Sequence, residues 1–351
     1  MLKFIVVMVL AGFGIFLGSK WSESSASKLG ARWNVPSVIM GGLVIAIISS
    51  FAELMSVILL TQAGEFAGGI AVVAGSAIAN LIWIKLVTRL GAGKDVPTRT
   101  PVIVLQAIPY LVVVVLTIVA IGFVAESGSN GHEWKVLTTP FGGIAIILFV
   151  AFVYMQFAMS KRFPLPKDDE DEEAADSMSV AKETVMLVIG MGLIGVSCHF
   201  MVEVGMEFAK HNGMPIEALA VTVFALVTSV PDILMSYFLA KKGQTDAAIS
   251  NAYGSNVFDI LVCLGLPVLV LGHVEVDWSE GSTIMYALLG GTVVGLAFLL
   301  SGQKLEMWEA MALVVLYGVF VVAVFVGGIL WPVFWACVGL MLIATLLFGR
   351  K

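Results

Sequence analysis

The sequence predicts an all-α polytopic membrane protein: two inverted five-helix repeats, one additional C-terminal transmembrane helix, and the N-terminus outside. Three observations carry this prediction. The composition is too poor in charge for a water-facing surface, apolar runs of membrane-crossing length recur along the chain, and the chain resembles itself at an offset of 179 residues.

Of the 351 residues, 59 % are hydrophobic and 13 % charged, whereas soluble domains average about 45–50 % apolar and ~25 % charged. A cytosolic enzyme is excluded on that ground. Disordered and disulfide-built classes fall with it, because apolar content is high and only three cysteines are present. Cys198, Cys263 and Cys337 stand in apolar runs and read as small hydrophobes. The net charge of −6, with no basic stripe, gives no reason to expect a nucleic-acid partner.

About 20 apolar residues cross the hydrocarbon core as a helix. Eleven segments meet that length: 2–19, 36–60, 67–90, 101–125, 139–159, 183–209, 215–240, 245–272, 281–301, 307–327 and 329–350. Lys and Arg stay on the cytoplasmic side. With the N-terminus outside, sixteen of them fall in inner segments, Lys85 and Lys304 included, and only Lys3, Lys135 and Lys210 in outer ones. Lys3, the first apolar run and Ser24–Ser27 also fit a cleaved secretory signal, but the repeat requires that span to be kept.

Sliding the chain by 179 residues lays 44–82 on 223–261 without a gap, with eight of 39 positions identical. Gly75 and Ser76 meet Gly254 and Ser255, Glu53 meets Asp232, and Asn80 meets Asp259. Five spans separate the copies, so the second enters the membrane with opposite polarity. Such repeats build a site near the midplane where the halves meet. The expected organisation is a first half at 1–160, an acidic cytoplasmic linker at 161–182, a second half at 183–328 and the additional helix at 329–351. Seven carboxylates between Asp168 and Asp176 keep the linker solvated. The run lacks the glycine turn of an EF-hand calcium loop.

Of 25 acidic residues, Glu53, Asp232 and Asp259 fall well inside apolar spans, the other twenty-two in loops or near helix ends. A charge at the bilayer centre costs ~2.5–3.5 kcal/mol on insertion scales. Bound cations or protons would offset it, and no Lys or Arg stands deep enough to pair with these acids. Ser49 and Ser50 precede Glu53 by four and three residues, as Thr228 and Ser229 precede Asp232. Those spacings put hydroxyl and carboxylate on one helical face. Ser76 with Asn80, and Ser255 with Asp259, repeat the device one helix later. Pro231 is expected to kink its helix and free carbonyls near Thr228. An oxygen-only set with two or three negative charges suits Ca²⁺; Na⁺ accepts the same oxygens with less charge. A single membrane Ser or Thr is commonly bonded back to its own helix, so the weight rests on the symmetric set. Asn251 and Asn256 are read equally as packing groups and as ligands. His199, Glu203 and Glu207 are read as a wet vestibule face, and Gln106 as an interhelical hydrogen bond.

At these residues the chain resembles the calcium/cation antiporter superfamily, in particular its sodium/calcium exchanger branches. Thr228, Ser229, Val230, Pro231 and Asp232, followed by Gly254, Ser255, Asn256, Val257, Phe258 and Asp259, match its motif closely. The first repeat departs from it, with Ala52 in place of Pro and Ala77 in place of Asn. The resemblance implies exchange of Ca²⁺ for Na⁺ by alternating access, with Glu53 and Asp232 as central ligands. Ser50, Ser76, Asn80, Thr228, Ser229, Ser255 and Asp259, with the carbonyls of Ala46 and Ala225, would complete this site or adjoining sodium sites. The first and sixth spans would slide across the remaining bundle. Loss of the proline at Ala52 is expected to leave the second span less broken. The departures leave room for another divalent ion (Mg²⁺ or Mn²⁺), for H⁺ as driving ion, or for K⁺ assistance. No cofactor is expected beyond the transported ions, and no enzymatic activity. The expected surroundings are inorganic cations and the lipid bilayer of a prokaryotic plasma membrane; oligomeric state is left open. An intramembrane aspartyl-type enzyme is the rival of another class, but its Gly-x-Gly-Asp motif is absent.

Overall fold

In hydrocarbon every backbone N–H and C=O must be paired within the segment, and the apolar runs accordingly form helices. The computed structural model describes residues 1–33, 44–97, 102–124, 134–160, 179–301, 304–327 and 330–348. Among them, nine helices are long and apolar enough to cross a membrane, and two shorter apolar helices accompany them. In chain order they are α1 (Leu2–Arg32), α2 in two pieces (Ala46–Ser49 and Phe51–Gln62), α3 (Phe66–Ala92), α4 (Ile103–Gly122), α5 (Thr139–Ser160) and α6 (Val180–Asn212). Then follow α7 (Ile216–Lys241), α8 (Thr245–Leu271), α9 (Trp278–Leu300), α10 (Met307–Val326) and α11 (Trp331–Phe348). Most of the acidic linker, 161–178, lies outside the described residues.

The offset of 179 recurs in the backbone. A π-helical turn interrupts α3 at Asn80–Ile84 and α8 at Asp259–Cys263. The turns before these helices place Gly64 at φ 83° and Gly243 at φ 84°, a left-handed conformation that glycine adopts without strain.

α1 and α6 lie antiparallel along their length. Lys3 near the start of α1 pairs with Glu207 near the end of α6, and Lys28 near the end of α1 lies 3.3 Å from Glu183 near the start of α6. Glycines let the two helices touch: a Cβ on Gly18 would stand 2.6 Å from the Gly190 carbonyl, and one on Gly190 the same distance from the Gly18 carbonyl. α3 and α8 are the most enclosed long helices, while α5 leaves Ile144, Ile147, Val150 and Tyr154 exposed. A belt of exposed apolar side chains on so hydrophobic a protein is a lipid-facing surface.

Two short antiparallel ribbons join the halves. β1 (Val96–Pro97) pairs with β4 (Lys304–Leu305), and β2 (Trp134–Thr138) pairs with β3 (His273–Asp277) in the register Trp134 to Asp277. Beside the first ribbon Lys304 pairs with Glu306 and lies 3.6 Å from Asp95. Lys304 and the Trp308 indole hold the Glu306 carboxyl below the usual carboxylate range.

Several expectations are corrected. α1 continues thirteen residues beyond the predicted end at 19, as far as Arg32. Lys85, assigned to an inner segment, is buried in α3; its Nζ donates to the Gly295 carbonyl on α9 at 2.8 Å, where a larger residue at 295 would collide. Glu183 and Glu309, counted among acids that water reaches, are 6 % and 2 % exposed. Pro231 does not break its helix, which runs unbroken over Ala225–Lys241; the interruption falls in α2, at Ser50 with φ −83° and ψ 8°. The proline removes one backbone hydrogen bond without ending the helix, and the interruption of α2 falls two residues before Ala52. Cys198 and Cys263 are buried and free; Cys337 is half-buried.

Candidate cation site

The site forms where α2, α3, α7 and α8 meet. α3 approaches α7 closely at Gly75, where an added Cβ would lie 2.2 Å from the Val221 carbonyl. That approach sets the next residue, Ser76, against the opposite half: its Oγ is 2.8 Å from Ser229 Oγ and donates to Glu53 Oε1 at 2.9 Å. Across the pseudo-symmetric centre Asn80 Nδ2 donates to Asp232 Oδ2 at 2.9 Å and to Asn256 Oδ1 at 3.1 Å, with Ser255 Oγ at 3.3 Å. Asn256 returns a bond to the Ala77 carbonyl at 3.1 Å. Asn251 lies 3.5 Å from the Asp232 carbonyl and 3.3 Å from Ser236 Oγ.

The neighbours of the two acids exchange across the halves. Thr228 of α7 stands beside Glu53, and Ser49, its counterpart in α2, stands beside Asp232. Ser49 Oγ donates to the Ala46 carbonyl at 3.1 Å; Thr228 and Ser229 donate to the Ala225 carbonyl at 3.2 and 2.7 Å. The Ala46 carbonyl thus accepts from one hydroxyl and the Ala225 carbonyl from two. Asp259 sits at the edge, with Cys263 Sγ 3.8 Å from its Oδ1 and Ser50 facing it.

All ten side chains of the predicted set, Ser49, Ser50, Glu53, Ser76, Asn80, Thr228, Ser229, Asp232, Ser255 and Asp259, are no more than 1 % exposed. Glu53 and Asp232 repel one another, and among the described residues no basic side chain donates to either. Among the described residues, Glu53 Oε2, Asp232 Oδ1, Asn80 Oδ1, Ser50 Oγ and Asp259 Oδ2 are buried without a hydrogen-bond partner. A buried charge without compensation is costly, and oxygens of this kind are chemically suited to a hard cation. Among the described residues no three His, Cys, Asp or Glu side chains group as metal ligands. Glu53, Asp232 and Asp259 thus do not close into one three-acid cluster, and the groups bonded to the first two include the Ser76 hydroxyl and the Asn80 amide.

The model of the sodium/calcium exchanger protein family matches residues 3–158 and 182–326. The chain belongs to that family. It is 26 % identical over 307 residues to the putative antiporter CaxA of Alkalimonas amylolytica, covering 85 % of this chain and 90 % of CaxA. The fold is that of a solved H⁺/Ca²⁺ exchanger, CAX, with a TM-score of 0.74 at 14 % identity, covering 98 % of this chain and 87 % of CAX. It is shared with the sodium-calcium exchanger NCX_Mj, at 0.61 and 20 %, covering 92 % and 98 %. The protein is thus a multi-pass membrane protein of an ion-exchanger family.

Away from the centre, His199 and Glu203 lie 3.6 Å apart on the exposed face of α6. Gln106 Nε2 donates to Gln156 Oε1 at 3.1 Å, joining α4 to α5. The sequence reasoning missed Glu23 by ending the first span at 19. The signal that could have found it is the spacing of Ser19, Ser22 and Glu23, which continues the helical face.

Proposed function

We propose that this exchanger is a secondary antiporter that moves Ca²⁺ against Na⁺ across a membrane, through one site centred on Glu53 and Asp232. The observation that carries the reading is the set of unpartnered oxygens on two pseudo-symmetric buried acids, which a dehydrated cation would satisfy. Ser50, Ser76, Asn80, Thr228, Ser229, Ser255 and Asp259, with the Ala46 and Ala225 carbonyls, supply further oxygen as the occupant changes. One anionic pocket does not hold Ca²⁺ and the full Na⁺ load together, so competition couples the fluxes, and occupancy biases inward- and outward-facing states.

The halves are read as inverted repeats, supported by the 179-residue offset and the antiparallel α1 and α6. An outside N-terminus is supported by the asymmetry of Lys and Arg, fifteen to three once the buried Lys85 is set aside. The 161–182 segment is read as a solvated linker and α11 as a peripheral addition. The host membrane is proposed to be a prokaryotic plasma membrane.

The test is ⁴⁵Ca²⁺ uptake into proteoliposomes under separately imposed Na⁺, K⁺ and H⁺ gradients, with Mg²⁺ and Mn²⁺ as competitors. Sodium-driven uptake is expected, and Glu53→Gln is expected to reduce it at least about a hundredfold, in line with the loss of a charged ligand worth some 3 kcal/mol. Uptake driven by a proton gradient alone would transfer the coupling role to H⁺. Normal uptake by the variant would remove Glu53 from the site.

A further inference from the structure

α1 carries unsatisfied oxygens of its own. At 100° per residue, Gly12, Ser19 and Glu23 fall within about 40° of one another around the helix. Gly12 faces α7, since a Cβ there would touch Val227 Cγ1 at 3.4 Å. The same helix packs on the Ala46–Ser49 turn that opens α2. Ser19 is 1 % exposed, and its Oγ and Glu23 Oε1 are both buried without a hydrogen-bond partner. The charge that bears on Glu23 is Asp232, the central acid carried by α7. Among the described residues, Lys20 lies on the exposed flank of α1 and Lys28 is engaged by Glu183, so neither offsets the two.

The second half lacks this arrangement. The positions 179 residues on are Cys198 and Val202, both buried. Cys198 Sγ lies 3.5 Å from the Ala52 carbonyl, and Val202 offers no oxygen. A half-buried Glu23 with one enclosed oxygen and a bare hydroxyl thus stand on α1, where α6 carries an apolar pair.

We propose that Ser19 and Glu23 form an outlying site for a hard divalent cation, a docking step on the way to or from Asp232 that serves one membrane face only. The inference rests on the antiport reading for its role and on cation binding for its existence, and the two can fail separately.

Two measurements on the full chain test it. In sided proteoliposomes, Glu23→Gln is expected to raise the KM for Ca²⁺ about fivefold at one face and leave the other unchanged, with Ser19→Ala smaller in the same sense and Glu23→Asp largely restoring. An unchanged KM at both faces overturns the proposal, as does an equal rise at both, which would mark a disturbance of the centre. Independently of transport, calorimetric titration of the Glu53→Gln protein with Ca²⁺ is expected to show a residual weak binding event that Glu23→Gln or Ser19→Ala removes. Absence of that event, or its survival in both double variants, overturns the site. A wild-type chain that binds Ca²⁺ at Glu23 without moving it would defeat the antiport reading alone.

Discussion

Asn80 holds the two halves of the candidate site in register. Its amide nitrogen reaches Asp232 Oδ2, Asn256 Oδ1 and Ser255 Oγ, while its own oxygen is left free. Its counterpart in the second half is Asp259, so the site is symmetric in place but not in charge. Asn80→Ala strips three acceptors of a donor in a dry region, where each unpaired group costs about 1–3 kcal/mol. A lower melting temperature and a KM for Ca²⁺ raised about tenfold are expected. Asn80→Asp instead adds an anion beside Asp232; the expected outcome is weaker Ca²⁺ binding without bound Na⁺, measured by calorimetry, because like charges repel before any cation arrives. Tighter binding would show that charge, and not the Asn80 donor, limits the site.

Among the elements, α7 holds the clearest trade between helix and site. Residue 231 is proline, so the Val227 carbonyl four residues earlier receives no helical N–H, and yet the helix runs on from Ala225 to Lys241. That spare carbonyl lies one residue before Thr228. Pro231→Ala restores the donor; thermal stability is expected to hold or rise, while Ca²⁺ turnover falls several-fold, about 1 kcal/mol in barrier terms. Unchanged flux in the variant would place the Val227 carbonyl off the ion path. The paired π turns at Asn80 and Asp259 serve a related end: each inserts a wider turn at the residue whose side chain faces the centre, as such bulges often do at functional sites.

For the whole molecule, a site built from both halves ties ligand binding to global stability. A cation bound only by the folded bundle stabilises it by RT ln(1 + [L]/Kd), about 2.7 kcal/mol at a hundred times Kd. Detergent-solubilised protein is therefore expected to melt several degrees higher in saturating Ca²⁺ than in chelator, and Asp232→Asn to lose that shift. An equal shift in the variant would mean that Ca²⁺ stabilises the protein elsewhere, at Ser19 and Glu23 or on the acidic linker. Excess Na⁺ is expected to shrink the Ca²⁺ effect by competition.

Membrane character, helical class and the correspondence of Glu53 with Asp232 were written in the sequence, because the cost of burying charge in hydrocarbon is local and every residue declares its own polarity. The 179-residue offset carried the internal repeat for the same reason: Gly–Ser pairs and rare acids keep their spacing whatever surrounds them. Where the backbone bends was another matter. α7 continues past the proline at 231, while α2 is interrupted at Ser50, where no proline or glycine marks the sequence. Lys85, Glu183 and Glu309 read as wet from their place near span ends, and only packing against other helices enclosed them. One oxygen of Glu23 became enclosed through the length of α1 beyond its apolar stretch, a property of what α1 leans on. A sequence states the energetic cost of each side chain; which oxygens are left unpaired, and whose charge they face, is settled only when distant helices close around them.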